Sequence, residues 1–143
     1  MKKSHLLIGA CAVAAVAAFI TLRPGAIEEA APHETRTGDA MVAIQMPAIE
    51  GNAAIGQRVF EVSCASCHGA NAVGVEGAGP PLIHKIYEPS HHADEAFHRA
   101  VSQGVRSHHW QFGDMPPVEG LTRGDVAMVI AYIREIQRAN GIN

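Results

Sequence analysis

The two cysteines of Cys64-Ala65-Ser66-Cys67-His68 stand three positions apart, and a histidine follows the second directly. Thiols at that spacing, on one turn, can each form a thioether with one of the two vinyl groups of a haem. The adjacent histidine is then placed to ligate the iron. This is the pattern of covalent c-type haem attachment. The CxxC pair by itself also fits a redox dithiol or half of a zinc site. Zinc would need further ligands. The third cysteine, Cys11, lies in an apolar N-terminal run, so only histidines remain to supply them.

An iron held by His68 needs a sixth ligand, expected as a soft donor C-terminal to the motif. Met115 stands in Gly113-Asp114-Met115-Pro116-Pro117. Thioether sulfur favours reduced iron and raises its potential, and the two prolines stiffen the backbone after it. Taken alone, a loop methionine is more often a filler of the core than a ligand; the motif upstream and the stiff loop turn the reading to ligation. Met128 falls within a helical pattern and reads as core, and Met41 and Met46 precede the motif. His108 or His109 in place of Met115 would give a bis-histidine site of lower potential. Trp110 reads as a wall of the haem pocket, with an indole N–H able to bond a propionate.

Helices must position these residues. Asn52 is a plausible N-cap for a helix over Ala53–Val62, with Ile55, Val59, Phe60 and Val62 as its apolar face. A Gly/Pro-rich loop, Gly69–Pro81, follows. Pro89-Ser90 introduces a second helix, about His91–Gln103, with Ala93, Phe97, Ala100 and Val101 inward and Gly104 at its C-terminal cap. Thr122 and Asp125 form a capping-box pattern ahead of Val126, Val129, Ile130, Ile133 and Ile136, which follow helical spacing to Gly141. No run alternates as a half-buried strand does, so the class is all-α. The domain from Asn52 has few large side chains, the whole chain having four Phe, one Trp and two Tyr. A flat macrocycle at its centre would supply apolar surface that the chain lacks.

Ahead of that domain, residues 1–22 read as a signal peptide or an N-terminal membrane anchor. Lys2 and Lys3 precede an uncharged run, Leu6–Leu22, that ends at Arg23. Such a run is at the short limit for a membrane span. Ala15-Val16-Ala17 offers a cleavage site within it, and Ile8-Gly9-Ala10-Cys11 loosely resembles a lipobox. Each reading exports the remainder, to the periplasmic side of the cytoplasmic membrane or as a soluble periplasmic protein. Residues 23–51, with scattered Gly and Pro, read as a flexible linker, of which Met41–Ile49 is apolar enough to pack on the domain edge. The net charge of −3 and the absence of a basic stretch exclude nucleic acid as a partner. They also exclude an anionic membrane surface beyond the anchor itself.

In the order and spacing of these residues, 52–143 resembles a class I (mitochondrial-type) monohaem cytochrome c of the exported or membrane-anchored bacterial kind. The resemblance rests on Cys64-x-x-Cys67-His68 together with Gly56-x-x-x-Phe60, Tyr132, Gly77-Ala78-Gly79-Pro80-Pro81-Leu82 and Met115. It implies one covalent haem c, bound through Cys64 and Cys67 with His68 and Met115 on the iron. It also implies first and last helices that cross where Gly56 and Phe60 meet Tyr132. Pro80 would offer its carbonyl to the ring N–H of His68 and so orient that ligand. The function implied is single-electron transfer without a substrate pocket. Partners would be redox proteins such as a quinol-oxidising complex, a dehydrogenase or a terminal oxidase, with the membrane as a further contact if the N-terminal segment is kept. Catalysis or ligand sensing at an open iron is the alternative.

The chain departs from that family in its histidines, with His84, His91, His92, His98, His108 and His109 in the domain beside His68. They read as solvated surface groups, as lining a docking face that would make partner binding pH-sensitive, or as copper or zinc ligands in a copper-handling cytochrome. Lys85 is the domain's one lysine, so a lysine ring around the haem edge is not expected.

Overall fold

A computed structural model describes residues 39–143. The helices run in the order α1 (Gly51–Ser63), α2 (Ala65–His68), α3 (Asp94–Gln103) and α4 (Arg123–Ala139), with 3₁₀ turns at Ala70–Ala72 and Lys85–Tyr87. Isolated bridges occur among the described residues but no strand does, in keeping with the all-α class. No described helix is long and apolar enough to cross a membrane. The apolar run Leu6–Leu22 lies outside the described residues.

The crossing of α1 and α4 organises the molecule. Gly56 is buried there, and a Cβ added to it would lie 1.8 Å from the Met128 carbonyl oxygen, so only glycine lets the two backbones approach this closely. One turn on, the rings of Phe60 and Tyr132 meet at 5.6 Å with a tilt of 53°. Both side chains are fully buried. Burying such rings contributes about 1.5–3 kcal/mol each. Tyr132 satisfies its hydroxyl by donating to Asn71 Oδ1 at 3.2 Å.

α4 matches its sequence pattern closely. Val126, Val129, Ile130, Ile133 and Ile136 are all buried. The capping box forms in both directions: the Thr122 hydroxyl oxygen accepts from Asp125 N, and the Asp125 carboxylate accepts from Thr122 N. α1 differs from expectation. Its N-cap is Glu50 rather than Asn52. Ile55 and Val62, expected inward, are 44% and 85% exposed. Phe60 is buried as expected and Val59 packs on the core, but the rest of the inward face is Ala53 and Gly56, because the close crossing demands small residues where it is tightest. α3 starts at Asp94, three residues later than His91. The N–H groups of His91 and His92 both bond Glu88 O in a turn, and the helix opens on Asp94 and Glu95, whose charges suit the positive end of the helix dipole.

Two features tie the loops to this frame. Residues 40–50 are not loose linker. Ala40 bridges to Val75, Gln45 exchanges two hydrogen bonds of 2.8 Å with the Asn140 side chain, and Ile44 and Ile49 pack on the core. The part of the expected 23–51 linker from Ala40 onward is held to the domain, in line with the edge packing expected for Met41–Ile49, although Met46 stays 41% exposed. On the other side, the Arg134 guanidinium on α4 bonds Asp94 Oδ1 at 2.9 Å, Tyr87 O at 2.7 Å and His92 O at 2.5 Å. The neighbouring Gln137, fully buried, donates to Leu82 O at 2.8 Å. Segment 82–94 thus takes its shape from polar groups on α4.

Candidate functional site

The haem-attachment pattern occupies the end of α1 and the single turn of α2. Cys64 N bonds Phe60 O and His68 N bonds Cys64 O, so Cys64, Cys67 and His68 project from consecutive turns of nearly continuous helix. The chain then reverses. Asn71 and Ala72 both adopt left-handed backbone, with φ of 56° and 62°. That conformation costs a non-glycine residue roughly 1–2 kcal/mol. In return, Ala72 O accepts from Leu82 N at 2.8 Å. The Gly79-Pro80-Pro81 stretch is thereby brought back over the motif. Gly79 has no room for a side chain there, since a Cβ would lie 2.7 Å from Cys67 O.

This reversal sets the state of His68. Pro80 O lies 2.8 Å from His68 Nδ1. A carbonyl can only accept, so Nδ1 carries the proton and Nε2 keeps its lone pair. Burial holds the His68 pKa below the ordinary histidine value, and the Pro80 bond offsets part of that. The ring is accordingly a neutral, oriented donor, as the resemblance implied for Pro80. Burial, with a smaller contribution from Cys67, pushes the Cys64 thiol up to about 11. Cys64 is therefore held as the thiol and is not an activated thiolate.

Cys64, Cys67, His68 and Met115 line one cavity of about 620 Å³, and Pro80 lies in its wall. Phe60, Leu82, Phe97, Val129 and Ile133 make much of that wall apolar. Met115 sits on a loop closed by a reciprocal pair of 2.9 Å main-chain bonds with Val105. Among the other methionines considered, Met128 belongs to the α1–α4 crossing, and neither it nor Met41 or Met46 reaches the cavity. His108 and His109 do line it, although both are exposed where Met115 is half-buried.

The residues present fit a haem. The four residues that would link and ligate it share one cavity wide enough for a small-molecule cofactor. Trp110, in its wall, has a buried indole N–H with no partner, as a propionate oxygen would satisfy. Its ring stacks on Phe112 at 5.9 Å and meets His84 edge-on at 5.3 Å. Sequence reasoning missed Arg99 and Arg106, which also line the cavity and offer cations to carboxylates. No spacing relative to the motif marked either one.

A helical frame with crossed terminal helices around a CxxCH cavity defines a class I cytochrome c. The cytochrome c family model matches residues 53–137, and the chain belongs to that family. Comparisons with curated proteins and with solved structures give no match. Members of the family hold a c-type haem covalently and transfer electrons through it. Covalent attachment yields a direct expectation. Cys67→Ala removes one thioether, so more haem should be released into acidified organic solvent after denaturation than from the unaltered protein. Equal retention would show that Cys67 carries no bond.

Proposed function

We propose that this protein is an exported, membrane-tethered or soluble periplasmic one-electron carrier whose iron is held by His68 and Met115. The observation that carries the reading is the meeting of Cys64, Cys67, His68 and Met115 on one largely apolar cavity. The haem supplies a one-electron couple. The chain supplies what keeps that couple reversible. Pro80 fixes His68 with Nε2 unprotonated. The Val105 pairing and the two prolines hold the Met115 backbone in place. Phe60, Leu82 and Ile133 exclude water. His68 and Met115 would hold the iron from both sides, and a haem so held would offer a substrate no open position. Partners of the kind already named, a quinol-oxidising complex, a dehydrogenase or a terminal oxidase, would exchange electrons at the haem edge. A membrane tether would raise the effective concentration near such complexes.

The reduced, haem-loaded protein should leave its spectrum unchanged under carbon monoxide at neutral pH, and a redox titration should fit one reversible electron. Formation of a carbon monoxide adduct would overturn the closed-site reading in favour of a catalytic or ligand-sensing haem.

A further inference from the structure

We propose that His91, His92 and His109 form a site for one divalent transition-metal ion at the rim of the haem cavity. The three residues each offer a ring nitrogen, and these atoms lie within 4.8 Å of one another. Among the described residues this is the one group of three or more histidines, cysteines or carboxylates that converges so. An ion with metal–nitrogen bonds of about 2.0–2.1 Å sets neighbouring nitrogens roughly 3.3 Å apart in a tetrahedral shell. The gap closes by modest ring rotation. His91 and His109 are exposed and free to turn.

His92 is the fixed member. Its Nδ1 lies 2.6 Å from the Ile86 carbonyl, so that nitrogen donates and Nε2 is the one available to a metal ion. A histidine that gives one ring N–H to a backbone carbonyl and keeps the other nitrogen bare is built as metal ligands are built. Its own carbonyl is gripped by Arg134 at 2.5 Å. His108 repeats the arrangement, with Nδ1 donating to Arg106 O at 2.8 Å and its ring 4.3 Å from that of His109. The donor set is all imidazole nitrogen. Such a set selects copper or zinc over magnesium or calcium, which prefer oxygen.

The ion would join two segments far apart in sequence. His91 and His92 belong to the turn before α3, while His109 belongs to the Val105–Met115 loop. His92, His109 and Met115 line the same cavity. An ion bound there pins the methionine loop to the opposite rim.

The test uses the full-length, haem-loaded protein, titrated calorimetrically with copper(II), zinc(II) and magnesium(II) in separate runs. The expected result is one copper or zinc ion per chain and no magnesium. Whichever of copper and zinc binds more tightly names the preferred ion. His91→Ala and His109→Ala should each weaken binding at least about tenfold, and His91→Ala should leave the haem spectrum intact. His98→Ala, outside the group, should not. The bound ion should also raise Tm, because it favours the folded state. A stoichiometry other than one, or an affinity unchanged in His109→Ala, overturns the proposal. The His91→Ala readout does not depend on which residue is the sixth ligand of the iron, since His91 does not line the cavity.

Discussion

Gly56→Ala is expected to cost about 3 kcal/mol or more, at or above the upper end of ordinary overpacking. The added methyl group meets the Met128 carbonyl oxygen at 1.8 Å and Val129 N at 2.8 Å. Those atoms are main chain in the middle of α4, and neither can swing aside as a side-chain tip would. Relief requires α1 to lift from α4, which would loosen the Phe60–Tyr132 contact and the cavity wall beside it. For a domain of this size the cost corresponds to a drop in Tm of roughly 10–20 °C. Gly124→Ala is the matched control. It lies in the first turn of the same helix pair's longer member, where the nearest atom to a new Cβ is Thr122 Oγ1 at 3.5 Å. There alanine should be neutral or stabilising by up to about 1 kcal/mol. Thermal melts of both haem-loaded variants check the contrast, and equal effects would mean that the crossing is not limited by backbone contact.

Met115→Ala should change the redox behaviour more than any other single substitution at the site. Thioether ligation favours reduced iron, so its loss should lower the potential by a sizeable part of the roughly 0.8 V over which axial ligands spread haem potentials. The far-red absorption associated with a sulfur–iron bond in the oxidised state should vanish, and carbon monoxide should bind the reduced form. The loop itself should persist, because its hold on Val105 is through main-chain N–H and C=O groups that alanine retains. Loss of the band would therefore report ligation and not collapse. Met128→Leu, away from the cavity, should leave potential and spectrum unchanged. A Met115→Ala protein with the original spectrum would shift the assignment to His108 or His109, the other candidate ligands that line the cavity.

Much of this was legible because it is encoded locally. The attachment motif is five consecutive residues, and α4 carries both its start signal, Thr122 with Asp125, and an unbroken apolar stripe. The start of α3 was less legible, since Pro89-Ser90 marks a turn without saying how long the turn is. Hydrophobicity misplaced Ile55 and Val62 because it ranks large residues first, whereas the α1–α4 contact is decided by the absence of a side chain at Gly56. The histidines were visible as a surplus but not as a site. His92 and His109 are seventeen positions apart, and only the folding of segment 82–94 onto Arg134 and Gln137 brings their rings to 5.3 Å. The edge packing of Met41–Ile49 was legible from its apolar residues, but the Gln45–Asn140 pairing was hidden for the same reason, its partners lying 95 residues apart.

The meeting of Gly56 with Met128 also orders events in time. Chains are made from the N-terminus at about 5–20 residues per second. α1 and the Cys64–His68 segment therefore emerge seconds before the helix that will cover them. Until α4 arrives, nothing encloses Cys64 or presses on Phe60, and both thiols stand open on a nascent helical turn. Haem joined to the chain before α4 docks would find Cys64 open, whereas the finished fold half-buries it and leaves only Cys67 exposed. Docking of the last helix then closes the protein around a bond already made.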